Sequence, residues 1–237
     1  MRSVAAVLPV LARSREEGAL ILDAIVALAR FAIPIYVADG GSRDAGFLDR
    51  LAHQERVHVD RVDLRAGLPL VGQIKTAVNR ARSSNPDLVL YSEPDKLWFF
   101  ENRAEAFLCA DPQGGMLVAS RDAASFATYP AGQQLAETSM NRLCAAQFGQ
   151  DGDYLYGPLL IDAAVLPLLD RLDEDVRWGW RPYLMARVQA ASRPVRLWVD
   201  HLPCPAEQRG EDARIYRMEQ LSQNVAGLAL GLRHAAH

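Results

Sequence analysis

The feature that most constrains this chain is an alternation repeated through its first hundred residues: a short apolar run, a polar turn, then a stretch with helical spacing. Val4 to Val10 has strand length, and Glu16 to Phe31 sets Leu20, Ile21, Ala24, Ile25 and Leu28 on one helical stripe. Pro34 opens a second strand, Ile35 to Ala38. Asp39-Gly40-Gly41-Ser42-Arg43-Asp44 follows as a turn with helix-capping residues ahead of Phe47, Leu48 and Leu51. Val57 to Leu64 alternates Val57, Val59 and Val62 with polar residues as a third strand, and Leu70 to Ala81 carries Val71, Ile74 and Val78 at helical spacing. Asp87 to Tyr91 is a fourth strand, and Pro94 forces the loop that ends it. Strand and helix in this alternation predict an α/β fold, a mostly parallel sheet with helices on both faces.

The second half continues with a helix near Trp98 to Cys109, a strand near Met116 to Ala119 and a helix near Gln133 to Phe148. Tyr154 to Ile161 reads as a strand, Trp180 to Ala191 as a helix, and Val195 to Val199 as a strand ending at Asp200-His201. In the last element, about Ile215 to Leu232, Met218, Leu221, Val225, Leu228 and Leu232 recur at three- and four-residue spacing. That predicts a C-terminal amphipathic helix. Two heptads suit docking on the body or a homodimer seam. No linker, repeat or low-complexity tract divides the 237 residues, so one domain is expected.

Charge and cysteine usage narrow the partners. The formal net charge is −3 and no Lys/Arg run forms a basic patch, which argues against nucleic acid. Cys109, Cys144 and Cys204 are odd in number, widely spaced and without a metal-ligand pattern, so a reducing cytoplasm is expected rather than a disulfide framework. Met1-Arg2 before Val4 to Ala12 imitates a signal peptide, but the run is short, contains Pro9 and leads into Arg13-Ser14-Arg15-Glu16-Glu17 without a small-residue cleavage site. No stretch approaches the roughly 20 apolar residues of a spanning helix.

In open parallel sheets ligands bind beyond the carboxyl ends of the strands, so the loops after strands one, two and four belong together. Arg13 to Glu17, Asp39 to Asp44 and Glu93 to Lys96 are all polar. Glu93 and Asp95, one residue apart at a strand end, can present oxygens to a hard divalent cation that also holds a diphosphate, Mg2+ or Mn2+. A solvated turn or helix cap gives the same spacing. No Gly-x-Gly-x-x-Gly stands in the chain, so a dinucleotide site is poorly supported.

Val7-Leu8-Pro9, Val37 to Asp44, Gly72-Gln73-Ile74-Lys75-Thr76-Ala77-Val78-Asn79 and Tyr91-Ser92-Glu93-Pro94-Asp95 together resemble glycosyltransferase family 2 and its GT-A relatives, over about residues 4 to 100. The resemblance implies a GT-A fold and a glycosyltransferase that moves a sugar from a nucleotide-diphosphate sugar to a hydroxyl acceptor, small molecule, glycan or lipid. It implies that Pro9, Arg13, Asp39 and Gly40 line the nucleotide pocket, with Asp39 meeting the base and Lys75 facing the donor. Asp95 takes the last place of the Asp-x-Asp metal motif. Glu93 stands in the first place and Pro94 between, a departure from that motif.

Farther on the chain is similar to mannosylglycerate and glucosylphosphoglycerate synthases, where a histidine after a late strand completes the metal shell; His201 has the corresponding kind of place. Tyr156-Gly157-Pro158-Leu159 is similar to their acceptor-side loop. Trp178 and Trp180 suit either stacking on a sugar or packing beneath the sheet. Asp173-Glu174-Asp175 suits a catalytic base or a solvated loop. The implied division is a nucleotide-sugar half over about 1–100, an acceptor half over about 101–212 and the terminal helix over about 213–232. Two rivals remain: a nucleotidyltransferase, although Leu11-Ala12-Arg13-Ser14-Arg15 lacks the glycine-rich loop it needs, and a GT-A-shaped binding protein without catalysis.

Overall fold

The computed structural model describes residues 2–44, 46–62, 69–205 and 213–236. In chain order the elements are β1 (Val4–Val10), α1 (Arg15–Ala29), β2 (Ile35–Asp39), α2 (Phe47–Ala52), β3 (Val57–Arg61), α3 (Pro69–Arg82), β4 (Leu88–Tyr91), α4 (Leu97–Asn102), α5 (Ala104–Leu108), β5 (Met116–Arg121), α6 (Ala123–Phe126), α7 (Ala131–Phe148), β6 (Leu159–Asp162), α8 (Trp180–Ala190), β7 (Val195–Asp200) and α9 (Arg214–Ala235). The fold is α/β. Asp63 and Leu64, expected to close the third strand, lie outside the described residues.

Two compact units share the chain, residues 1–111 with 158–175, and residues 112–157 with 176–237. The opening segment of the first unit ends at Asp111, and a later segment returns to that unit. The cause is β6, which pairs with β4 in antiparallel register, Leu90 opposite Leu160.

In the first unit the strand order is β3-β2-β1-β4-β6, and its first four strands are parallel. The crossovers from β1 to β2 to β3 run one way along the sheet and the crossover to β4 runs back. Right-handed connection then sets α1 and α2 on one face and α3 on the other. Coverage on both faces explains why β1, β2 and β4 are near-continuous apolar runs, buried from Ala5 to Val10, Ile35 to Asp39 and Leu88 to Tyr91.

The second unit pairs β5 and β7 in parallel, Met116 opposite Val195 and Arg121 opposite Asp200. Its helix α8 is buried over nearly its whole surface, from Trp180 to Val188. Three expectations change in shape. The helix near Trp98 to Cys109 breaks at Arg103 into α4 and α5. The strand expected from Tyr154 begins only at Leu159, because side chains take the amides a ladder would use: Tyr154 N–H donates to Asn141 Oδ1 at 2.9 Å and Leu155 N–H to Asp153 Oδ1 at 3.0 Å.

The third change is α9. Its expected apolar stripe is not its buried face: Met218 is 69% exposed and Val225 39%, while Asn224, Gly227, Leu228 and Gly231 are buried. Glycine decides which face docks. A β-carbon on Gly227 would stand 1.9 Å from the Gly179 carbonyl oxygen, and one on Gly231 would stand 2.7 Å from that of Tyr183. Hydrophobic periodicity weighs large side chains and so misses a face built on their absence. Among the described residues no helix is long and apolar enough to cross a membrane.

Candidate functional site

Order reverses in the first unit at β1, which has β2 on one side and β4 on the other, so the crevice between β1 and β4 is the place such a sheet offers a ligand. Register brings three loops to that end: Val10 lies opposite Asp39, and Val7 opposite Tyr91. Pro9 helps to open the crevice. Ala6 N–H donates toward β2, to Pro34 O, while Val7 O accepts from Ser92 N–H on the β4 side. Residue 9 therefore faces the β4 side, two positions past the last paired residue, Tyr91. Its missing N–H costs no ladder bond there.

The turn after β2 is held by Asp39, which is buried. Its carboxylate accepts from Gly41 N–H at 3.1 Å, Ser42 N–H at 3.0 Å and the Ser42 hydroxyl at 2.5 Å. Ser42 Oγ in turn accepts from Ala12 N–H at 2.8 Å, tying the second loop to the first. Asp39, expected to meet a base, thus spends most of its acceptor capacity on its own turn. Gly40 gives room: a β-carbon there would stand 2.8 Å from Gln73 Nε2.

Gln73 is the residue sequence reasoning passed over. Its buried amide donates 2.8 Å bonds to both Val10 O and Ala38 O, clasping the ends of β1 and β2. Lys75, expected to face the donor, is elsewhere. Two positions on a helix are about 200° apart, so when Gln73 reaches the strand ends Lys75 emerges on the other flank of α3. Its ammonium donates to Asp170 O at 3.2 Å, and the Asp170 carboxylate pairs with Arg82 at 3.2 Å.

Ser14 caps α1, accepting from Glu17 N–H at 3.2 Å, while Glu17 accepts from Arg13 N–H at 2.7 Å and pairs with its guanidinium at 3.0 Å. This reciprocal cap fixes a 15-residue helix with its N–H end facing the crevice loops. The Arg13 side chain is exposed. Asp44 receives Arg50 at 2.5 Å, and that hydrogen bond holds its carboxyl below the usual carboxylate range.

After β4 the chain stays anchored: Ser92, fully buried, donates its N–H to Val7 O at 3.3 Å and its hydroxyl to Glu93 O at 3.0 Å. Glu93 is buried, whereas the Asp95 side chain is 53% exposed. Between them sits the ammonium of Lys96, 3.4 Å from Asp95 Oδ1 and 4.0 Å from Glu93 Oε2. The two carboxylates thus converge on one point of positive charge.

In the second unit His201 follows β7. Its Nδ1 lies 3.0 Å from Ser125 Oγ and 3.4 Å from Asp122 Oδ2. Both partners meet the same ring nitrogen, so this is no nucleophilic triad; it orients the ring and assigns Nε2 to any other work. Asp122 itself caps α6. The Ser125 side chain and its N–H, at 2.6 Å, lower the Asp122 pKa, with His201 adding in the same direction.

A larger cluster centres on Arg121, buried at the end of β5. It pairs with Asp153 at 2.5 Å and Glu137 at 2.5 Å, and its guanidinium lies 4.3 Å from the Tyr129 ring and 5.9 Å from that of Tyr156. Burial works against both charges. The two carboxylates nonetheless hold the guanidinium pKa well above its ordinary value, and Arg121 with backbone N–H donors holds Asp153 below its own. A pocket of about 310 Å³ opens beside this cluster, lined by Arg121, Phe126, Asn141, Arg142 and Asp151.

The expected acceptor residues divide. Tyr156 is buried near Arg121, Gly157 takes φ +133°, a left-handed value that favours glycine, and Pro158 is buried where the chain enters the first unit. Trp180 is a correction: at 1% exposed it belongs to the core of the second unit, and Trp178, with Arg181 5.4 Å from its ring, is the tryptophan that keeps surface. Asp173, Glu174 and Asp175 are exposed. Among the described residues no three His, Cys, Asp or Glu side chains form a ready metal cluster.

No protein-family model matches the sequence, and no curated protein matches it. Solved structures do. Mannosyl-3-phosphoglycerate synthase from Rubrobacter xylanophilus is 17% identical, with TM-score 0.65 over 99% of this chain and 75% of that one. Glucosyl-3-phosphoglycerate synthase from Mycobacterium tuberculosis, solved with Mn2+, UDP and phosphoglyceric acid, is 15% identical, with TM-score 0.58 over 98% and 78%. The same synthase with Mn2+, UDP-glucose and phosphoglyceric acid gives TM-score 0.57 at 15% identity, over 98% and 80%. The fold of this chain is the GT-A fold of these synthases.

Proposed function

We propose that this chain is a glycosyltransferase that takes a nucleoside-diphosphate sugar as donor and transfers its sugar to a hydroxyl acceptor with the help of a divalent ion. The observation that carries the reading is the acidic turn after β4: at the switch point of a GT-A sheet, Glu93 and Asp95 face a single position of positive charge. Oxygen donors of this kind suit Mg2+ or Mn2+, and the Lys96 ammonium between them supports a place for positive charge there. Asp95 and Glu93 would hold the ion, which supplies neutralisation of the charge developing on the leaving diphosphate.

The chain's own groups do the rest. Asp39 and Gln73 fix the loops around the nucleoside, and the N–H end of α1 favours diphosphate oxygens. Arg13, exposed beside the same helix end, adds positive charge. His201 keeps its proposed place as a ligand for a reason internal to its own unit, since Asp122 and Ser125 hold Nδ1 and assign Nε2 outward. Tyr156 and Gly157, beside the Arg121 cluster, shape the acceptor side. With the synthases above as guide, a small phosphorylated hydroxy acid is the first acceptor to try.

The test is donor hydrolysis and transfer with UDP-glucose, GDP-mannose and related nucleotide sugars, with and without Mn2+ and 3-phosphoglycerate. Release of nucleoside diphosphate from one donor, accelerated by an acceptor and lost in Asp95→Ala, is the expected result. Pyrophosphate release from a nucleoside triphosphate and a sugar phosphate would replace this reading with nucleotidyl transfer.

A further inference from the structure

We infer that the outer face of α9 is a docking surface for a second copy of this chain, with the two helices packed antiparallel about a two-fold axis at the level of residue 227. The inference concerns the second unit alone and stands whatever ligand the first unit takes.

Gly227 and Gly231 seat α9 on its own unit, against Gly179 and Tyr183. The opposite side of the helix carries Met218, Ser222, Val225, Ala229 and Leu232, and ends on Ala236 at its C-cap. Steps of four and three residues along this row make it the narrow seam of a helix pair, with Met218, Val225 and Leu232 as its large members. All three are exposed, as are Ser222 and Ala236. Large apolar side chains gathered in one exposed row, rather than scattered singly, mark an interaction surface. Docking through glycines thus leaves the heptad face of α9 pointing away from its own core.

Volume and charge both name a second copy as the occupant. With the axis at residue 227, Met218 lies level with the partner's Ala236, Ser222 with the partner's Leu232 and Val225 with the partner's Ala229. Each layer sets a large side chain against a small one, and each occurs twice. A parallel pair would stack serine on serine and alanine on alanine and leave gaps between the large layers. Glu219 and Arg233, both exposed, each follow a large seam residue by one position and so flank the seam on one side. Antiparallel pairing brings Glu219 beside the partner's Arg233, and Arg233 beside the partner's Glu219. A two-fold interface requires self-complementarity of this kind, and flanking charges of opposite sign fix its orientation.

From Met218 to Ala236 the seam runs about 28 Å, or about five helical turns. With three large apolar side chains from each copy, it is expected to give a dissociation constant on the order of 10 µM. At about 1 µM the chain is then monomeric and Val225 faces water, and at about 100 µM it is mostly dimeric. Sedimentation velocity on the full chain across that range, at low salt, reads the equilibrium. Met218→Glu combined with Val225→Glu is expected to stay monomeric throughout, with association weakened at least about tenfold. Circular dichroism checks folding, and Val225→Ser carries the same direction of change should the paired variant not fold.

Charge reversal tests the pairing itself. Glu219→Arg and Arg233→Glu are each expected to weaken self-association about threefold or more, because each sets like charges together across the seam. An equimolar mixture of the two is expected to associate about as tightly as the parent, since each copy then meets its opposite. The two positions lie about 21 Å apart along one helix, so this recovery is expected only between copies. A parent chain that stays monomeric across the range overturns the inference. So does a dimer that survives Met218→Glu with Val225→Glu, or a mixture of charge variants that associates no better than either alone.

Discussion

The acidic turn of the first unit and the Arg121 cluster of the second both gather charge at the end of a parallel strand, yet they are built in opposite ways. At the turn the charged groups are near neighbours in sequence, one of the three, Asp95, is open to water, and the ammonium stands 3.4 and 4.0 Å from its carboxylates. Around Arg121 the partners come from 16 and 32 positions away, and both contacts are 2.5 Å. Asp153 is further fixed by Asn141 at 3.1 Å and by Leu155 N–H at 3.0 Å. Charges assembled within one partly exposed turn can be reached by a ligand; charges drawn from distant positions into a dry cluster hold a fold together.

The largest expected effect breaks the second arrangement. Arg121→Ala leaves Asp153 and Glu137 without their cation in a dry setting, and is expected to cost about 3–5 kcal/mol in denaturant unfolding. Amide exchange should rise most at 152–156 and 116–121. Asp95→Ala, by contrast, is expected to change stability by no more than about 0.5 kcal/mol. Equal costs at the two sites would erase the distinction drawn here.

Next comes the glycine contact that sets α9. Gly227→Ala drives a methyl group into the Gly179 carbonyl and is expected to destabilise by about 1–3 kcal/mol, whereas Val225→Ala on the exposed side should be near neutral in the same melts. Gln73→Ala is smaller in stability, about 1–2 kcal/mol for losing two buried bonds. It sharpens the comparison because its main expected consequence is weaker nucleotide binding through loosened β1 and β2 ends.

The smallest effect is on pH. Arg121 and backbone donors depress the Asp153 pKa, so the carboxylate's contribution is full above the unfolded value of about 3.9 and is lost as pH falls through the lower folded value. Stability should therefore be level from this source between pH 8 and 5 and fall only in acid. A decline beginning near pH 6 would point to another group.

The same contrast explains what was legible in the sequence. β1 appeared with its exact bounds because a strand covered on both faces is written as an unbroken apolar run, and α3 because Val71, Ile74 and Val78 keep one face. The turns at Asp39 and Glu93 were legible because a parallel sheet sends every such turn to one end. Gln73 was hidden since a buried polar residue within a helix carries no periodic mark. Asp122 and Ser125 did leave a trace, a capping pair three residues apart, while Arg121, Glu137 and Asp153 left none. Lys75 stands two positions beyond Gln73, enough to turn it to the other flank of α3, toward Asp170. The α9 face was misread because Gly227 and Gly231 act through the side chains they lack.

The donor site is the central claim, and calorimetric titration of UDP and GDP into the parent chain and Asp95→Ala, with and without Mn2+, tests it most directly. One nucleoside diphosphate is expected to bind the parent with an affinity that Mn2+ raises about tenfold or more, and Asp95→Ala to remain folded while losing that increment. Binding of neither diphosphate under any condition, or a Mn2+ increment untouched by Asp95→Ala, would contradict it.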